Sequence, residues 1–279
     1  MILIADAGAT KIQWVTLHDG LVSDPVETTG FNPYVMEPDI LKNTVEKDLL
    51  PYIKHEFVKE VYYYGAGCST VTKCGIVDDI LKPIFPKADL EIMHDLLGAA
   101  RALFGQREGI ACILGTGSNS CLYDGSKIAE NVTSLGYFFG DEGSGAYLGK
   151  LMLTEFLRGR MPAHIRKAFD EEYGYTLENI LDAVYKKPHP NRFLSSFSSF
   201  IAGLVEDPFM KELVRKNFED FFTEQVTRYT HYRKKPLGVV GSVGLYYSDI
   251  FKEVASAHKL QVVKIIQSPL EGLIEYHRS

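Results

Sequence analysis

Apolar and polar positions change places in short runs from the first residue onward. "ILIA" leads into Asp6, a tip of small residues follows, and a second apolar run from Ile12 to Leu17 closes at Asp19-Gly20. Residues 2–30 read as three short strands, with Asp19-Gly20 as a hairpin turn. Residues 37–54 carry helical spacing, and "KEVYYYGAG" is a strand stopped by glycines. The spacing predicts a helix over 70–82, ended before Pro83. "ADLEIMHD" reads as a strand and "LLGAARALFG" as a helix closed by Gly105. Strands alternating with helices predict a sheet with parallel members and crossover helices.

The opening layout then returns. "IACILGTGSNSCLYDGSKIAENV" is again a strand, a small-residue turn, a strand, an Asp-Gly turn (Asp124-Gly125) and a third strand. The repetition lies in layout rather than identity, and it predicts two related halves facing each other across a cleft. Helical stretches fill Gly143 to about Tyr232. The strand "PLGVVG", a helix, the strand "LQVVKII" and a short helix close the chain.

Composition narrows the class. The 279 residues are 46% hydrophobic and 24% charged, enough for a sizeable core and about two domains. A net charge of −6 argues against wholesale binding to nucleic acid or to an anionic membrane, so neither is expected as a partner. No apolar stretch reaches the roughly 20 residues that a bilayer needs, and no basic leader opens the chain. Cys68, Cys74, Cys112 and Cys121 form no C-x-x-C pair and have no histidines at zinc spacing. They read as reduced thiols of a cytoplasmic protein.

The chemistry gathers in the turns. Small residues at a β-turn let backbone N–H groups approach a phosphate. "DAGATK" and "GTGSNS" are two such tips, and facing each other they could hold the β- and γ-phosphates of one nucleotide. Thr10 and Ser118 add hydroxyls, and Lys11 adds a charge. Asp6 ends its strand where a phosphate-bound Mg²⁺ would lie. Each tip read alone is equally a tight hairpin. "GVVGSVG" ends a strand and opens a helix, where Gly241 and Ser242 could receive adenine or ribose. Phosphoryl transfer to an alcohol also needs a carboxylate that takes the hydroxyl proton. Asp95 fits that role, and its residue type and place at a strand-to-helix junction also fit an ordinary helix N-cap. Asp141-Glu142 stand between glycines, within reach of a ligand or in the first turn of a helix.

"DAGATK", "GFNP", "HD", "GTGSN", "GYFFGDEGSG" and "GVVGSV" follow one another in the order and spacing of a known family. The chain resembles the N-acetylglucosamine kinase-like proteins of the BadF/BadG/BcrA/BcrD ATPase family, in the actin/hexokinase/Hsp70 superfamily. The specific part is "GTGSN" followed by "GDEGS"; "DAGATK" marks only the superfamily. The resemblance implies an α/β fold with two lobes of the actin-like ATPase (ribonuclease H-like) type, duplicated βββαβα-type domains around a nucleotide cleft. The first lobe would span 1–108, with or without 267–279, and the second 109–266. It implies ATP and Mg²⁺, with Asp6, Gly8 and Thr10 as the first phosphate motif and Thr116, Gly117 and Ser118 as the second. Gly241 and Ser242 match the adenosine motif, and Asp95 matches the catalytic base. Asn32, Asn119, Gly136 and Asp141 match sugar-contacting positions.

The implied activity is an ATP-dependent kinase of an amino sugar, N-acetylglucosamine above all, with a small-molecule sugar as partner and a homodimer left open. One departure is Ser134-Leu135-Gly136, where the family often carries Gly-Trp-Gly. That exchange removes an aromatic wall near the sugar. The same family includes ATPases that activate a dehydratase through an iron–sulfur cluster, and Cys112 lies near the matching stretch. A nucleotide or sugar sensor without turnover is the third alternative.

Overall fold

The computed structural model describes residues 1–278. The chain begins β1 (Ile2–Ala7), β2 (Lys11–His18), β3 (Leu21–Val22), β4 (Val26–Thr29), α1 (Pro38–Thr44), β5 (Glu60–Gly65), α2 (Val71–Leu81), β6 (Asp89–His94) and α3 (Asp95–Phe104). Next come β7 (Gly109–Leu114), β8 (Ser118–Tyr123), β9 (Ile128–Glu130), α4 (Gly136–Phe139), α5 (Gly145–Leu157), α6 (Ala163–Glu172) and α7 (Leu177–Tyr185). The remainder is α8 (Pro190–Ser196), α9 (Ser198–Gly203), α10 (Pro208–Glu224), β10 (Leu237–Val240), α11 (Ser242–Tyr246), α12 (Ser248–Ala257), β11 (Val262–Ile266) and α13 (Leu270–Arg278).

These elements form two compact units. The first comprises Met1–Arg107, Gly125–Lys127 and the chain from Ser268 onward; the second comprises Glu108–Asp124 and Ile128–Gln267. The first unit's sheet has the order β3-β2-β1-β5-β6, and β4 also pairs with β2. The second unit's sheet reads β9-β8-β7-β10-β11. In both, the first strand pairs antiparallel with the second and parallel with a later one. The recurrence of layout in the sequence is thus a recurrence of topology.

Local chemistry explains the departures. The third strand expected within 2–30 is two strands, β3 and β4, both paired with β2. Asp24-Pro25 falls between them, and proline has no N–H to offer a ladder. Asp19 and Gly20 both have positive φ, 49° and 78°, which a two-residue hairpin turn of this twist requires. Across 37–54 the helix is short. α1 gives way to a wider turn at Val45–Leu49 and a tighter one at Leu50–Tyr52, since Pro51 interrupts the hydrogen-bond pattern.

Each unit has its own core. In the first, Leu3, Ile12, Trp14, Phe31, Val61, Tyr63 and Phe85 are buried together. Trp14 donates its indole N–H to Thr28 Oγ1 at 2.9 Å, so its one polar atom is satisfied. In the second, Ile110, Leu114, Met152, Phe169, Phe197, Phe218, Phe222 and Phe251 form the centre. Phe200 joins this core and Phe193 packs against it, with Phe197 fully buried. Among the described residues no helix is long and apolar enough to cross a membrane.

Candidate active site

In the first unit, the strand register sets the carboxylates. Asp6 on β1 stands beside Tyr64 on β5, and Tyr64 stands beside Met93 on β6. The three strands are parallel, so Asp6 and Asp95 both emerge at the carboxyl end of the sheet, where open α/β sheets hold ligands. Asp95 is the first residue of α3. It is not the N-cap: His94 is, and its Nδ1 accepts the Leu96 N–H at 3.0 Å. The same Nδ1 lies 3.0 Å from Asp95 Oδ1. Burial raises the Asp95 pKa, while the His94 imidazole and the amides of Leu96 and Asp95 itself pull it back.

Asp6 has a partner that no sequence spacing announces. Ser268, just ahead of α13, donates its hydroxyl to Asp6 Oδ2 at 3.2 Å and also lies 3.3 Å from Gln13 Oε1. Its oxygen accepts the Leu270 N–H at 3.2 Å. Burial lifts the Asp6 pKa from 3.8 to about 6. The Ser268 hydrogen bond acts against that rise, the Asp95 charge adds to it, and Lys11 lowers it slightly. Among the described residues no group of three or more His, Cys, Asp or Glu could hold a metal by itself. A single carboxylate suits Mg²⁺ that arrives with phosphate oxygens and water. Asp6 Oδ1 has no partner among the described residues and fits that use.

The first hairpin tip is built to open its N–H side. Gly8 N–H bonds to Lys11 O at 2.9 Å, while the Gly8 and Thr10 carbonyls accept the amides of Phe31 and Gly30. A Cβ on Gly30 would stand 2.4 Å from the Thr10 carbonyl carbon, so only glycine allows this approach. The Thr10 N–H and hydroxyl have no partner among the described residues. Lys11 is engaged elsewhere, with Nζ 2.7 Å from Glu27, both side chains being about half exposed. Asn32 bends back on itself. Its Oδ1 accepts the Tyr34 N–H at 2.9 Å and rests against Gly67, whose φ is +80°.

The second unit repeats the device. The carbonyls of Gly115, Thr116 and Gly117 accept the amides of Gly145, Ala146 and Gly115. The amides of Thr116 and Gly117 have no partner among the described residues. Ser118 Oγ is buried and also unpartnered. An orphaned hydroxyl beside two open amides fits a phosphate oxygen.

The "GVVGSV" turn packs directly on this tip. Gly241 has φ +123°, and a Cβ there would meet Leu114 O at 2.3 Å. Ser242 opens α11 beside it. Asp141 reaches the same tip from the other motif, with Oδ1 accepting the Ser118 N–H at 3.4 Å and the Ser134 hydroxyl at 3.3 Å. Its pKa is raised by burial, against those two hydrogen bonds. Gly136, with φ +68°, opens the short α4 and has open space on its Cβ side. Asn119 lies on β8, its Oδ1 held by the Ser120 N–H and by Asn131.

The structure therefore groups Asp6, Gly8, Thr10, Asn32 and Asp95 in the first unit. Thr116, Gly117, Ser118, Asn119, Gly136, Asp141, Gly241 and Ser242 fall in the second. Ser268 and Asn131 escaped the sequence reading, while His94 and Ser134 stood in its motifs without a part in the site. Serine beside a carboxylate carries no pattern, and Ser268 is 262 positions from Asp6. Cys112, which suggested an iron–sulfur site, is fully buried within β7 and its thiol pKa is raised by that burial.

Two sheets of one strand order, each with an amide-exposing tip between its first two strands, define an actin-like ATPase fold. A structure from Porphyromonas gingivalis, provisionally named N-acetylglucosamine kinase, matches with 44% identity and a TM-score of 0.94, over 99% of this chain and 98% of that one. The chain belongs to this family of N-acetylglucosamine kinase-like proteins. A protein under the same provisional name from Chromobacterium violaceum shares the fold at 17% identity and TM-score 0.72, over 99% of this chain and 98% of that chain. So does a ROK family glucokinase from Streptomyces griseus, solved with glucose and AMPPNP, at 12% identity and TM-score 0.56, over 98% and 97%. No protein-family model and no curated protein matches the chain.

Proposed function

We propose that the chain is an ATP-dependent sugar kinase that transfers the γ-phosphoryl group of ATP to a hydroxyl of an amino sugar, with N-acetylglucosamine as the acceptor. The observation that carries the reading is the pairing of Asp95 with Asp6. Two desolvated carboxylates leave parallel strands at one end of a sheet, close enough for one charge to raise the pKa of the other. One acts as base and the other serves the metal side.

Asp95 takes the proton of the acceptor hydroxyl as its oxygen attacks the γ-phosphorus. The bond to the β–γ bridging oxygen breaks, its electron pair leaves with ADP, and the proton stays on the Asp95 carboxyl. Asp6 would hold Mg²⁺ through water or directly, and the ion would supply positive charge to the β- and γ-phosphates. The open N–H groups of Thr10, Thr116 and Gly117, with Ser118 Oγ, suit phosphate oxygens. Gly8 keeps the first tip tight, Gly241 and Ser242 are the adenosine positions, and Asn32, Asn119, Gly136 and Asp141 are the sugar positions. Lys11, paired with Glu27, contributes field rather than contact.

The test is an ADP-release screen across hexoses, amino sugars and N-acetylated sugars. N-acetylglucosamine is expected to give the highest kcat/KM. ADP release that no sugar raises above the ATP-only background would overturn the reading.

A further inference from the structure

Asn131 follows β9 by one residue, where the ladder with β8 stops after Glu130 pairs with Leu122. Its side chain takes over from the ladder. Asn131 Nδ2 lies 2.7 Å from the Ser120 carbonyl and 3.2 Å from the Val132 carbonyl. Both neighbours can only accept, so the atom facing them is the amide nitrogen. The same nitrogen lies 3.2 Å from the side-chain oxygen of Asn119. That oxygen also receives the Ser120 N–H at 2.9 Å. With two donors aimed at one end of the Asn119 amide, that end must be its oxygen.

Asn119 is thereby left with a fixed outward character. Its acceptor is consumed within the unit, and its Nδ2 has no partner among the described residues. It offers two donors and no acceptor to whatever approaches.

We propose that Asn131 is a positioning residue, which locks the Asn119 amide as a hydrogen-bond donor and so requires a lone pair on the substrate group that meets it. This inference rests on the kinase reading above. A hydroxyl or acyl carbonyl oxygen satisfies the requirement. An ammonium presents only hydrogens and is turned away at that position. Without Asn131, one of the two donors that hold the orientation is gone. The amide can then turn over and face the same oxygen with its own.

Calorimetric titration of N-acetylglucosamine into the full-length protein tests this, with steady-state kinetics alongside. Asn131→Ala is expected to weaken sugar binding roughly 5- to 20-fold, the scale of one misoriented hydrogen bond. It should raise the sugar KM in step, and change kcat and the ATP KM less than about threefold. Asn131→Asp cannot donate to Ser120 O and draws the Asn119 N–H groups toward its own carboxylate, so it should weaken binding at least as much. The deciding measurement is a double-mutant cycle. In an Asn119→Ala background, Asn131→Ala should cost less than twofold, because no amide remains to orient. Wild-type affinity in both Asn131 variants, or an equal cost with and without Asn119, would overturn the proposal and leave Asn131 as a strand-end residue. Failure of the wild type itself to bind or phosphorylate the sugar would instead remove the kinase reading and this inference with it.

Discussion

Asp95 and Asp6 are both raised by burial, yet the protein treats them differently. Asp95 sits at the first position of α3, where its own amide and that of Leu96 favour the ionised form. Asp95→Asn keeps the shape and loses the proton acceptor. Its kcat should fall by about 10²–10⁴, with ATP and sugar binding nearly unchanged. A variant that turns over at the wild-type rate would leave Asp95 as a helix-terminus residue alone. Asp6 makes a different prediction, through pH. Its pKa is near 6 in the folded chain against an ordinary 3.8, so the folded state holds the extra proton between those values. The stability this contributes is full below pH 3.8 and is lost as pH rises through about 6. Mg·ATP supplies positive charge to the ionised form. The rise in Tm on adding Mg²⁺ with a non-hydrolysable ATP analogue should therefore be larger at pH 7.5 than at pH 5. Asp6→Asn should flatten that difference; a pH-independent rise in the wild type would separate Asp6 from the metal.

At the scale of elements, the turns carry more information than the helices. Asp19-Gly20, "GTGSN" and "GVVGSV" declare themselves because their backbones need glycine or a short polar side chain. Gly241→Ala would force a Cβ against Leu114 O at a φ of +123°. It should cost about 2 kcal/mol or more and weaken ATP binding, since the turn packs on the Thr116–Ser118 tip; thermal denaturation and nucleotide titration would read the two effects. Gly149 makes the matching case for a helix crossing, as a Cβ there would lie 1.9 Å from Leu194 O where α5 meets α8. Gly149→Ala should destabilise the second unit by a similar amount while leaving the residues of the site in place, visible as a lowered Tm with little change in KM. Most strands and both tips were legible because apolar runs and turn residues are local signals. α4 was not, because four residues cannot express a helical period. The N-cap of α3 was misplaced by one residue, since aspartate is the commoner cap and histidine fills it through Nδ1. The hydroxyl on Asp6 was out of reach altogether, because sequence patterns see neighbours along the chain and Ser268 is a neighbour only in space.

The whole molecule is not two consecutive segments. The first unit needs the last stretch of the chain: α13 packs on α3 so closely that a Cβ on Gly272 would stand 2.4 Å from Ala102 O. Leu273 is fully buried, Arg101 donates to Tyr64 Oη at 2.8 Å, and His277 Nε2 lies 2.8 Å from the same hydroxyl. Ending the chain after Gln267 should strip amide-exchange protection from β1, β5 and α3 and abolish turnover. β7, β8 and β10 keep their own core and should stay protected. Equal loss of protection in all six elements would show that the second core cannot stand without α13.

This connectivity also sets an order of events during synthesis. A ribosome releases the second unit's final strand, β11, before it has finished the residues that complete the first. Ser268 lies 262 residues beyond Asp6, so the Asp6 carboxylate waits for that whole stretch to be synthesised before its hydroxyl arrives. A nascent chain, a prematurely terminated one, or one trimmed by a carboxypeptidase would carry the second unit's open amides without a finished Asp6 site. Such fragments would lack the means to turn over ATP, so synthesis of the segment from Ser268 onward acts as the licence for catalysis.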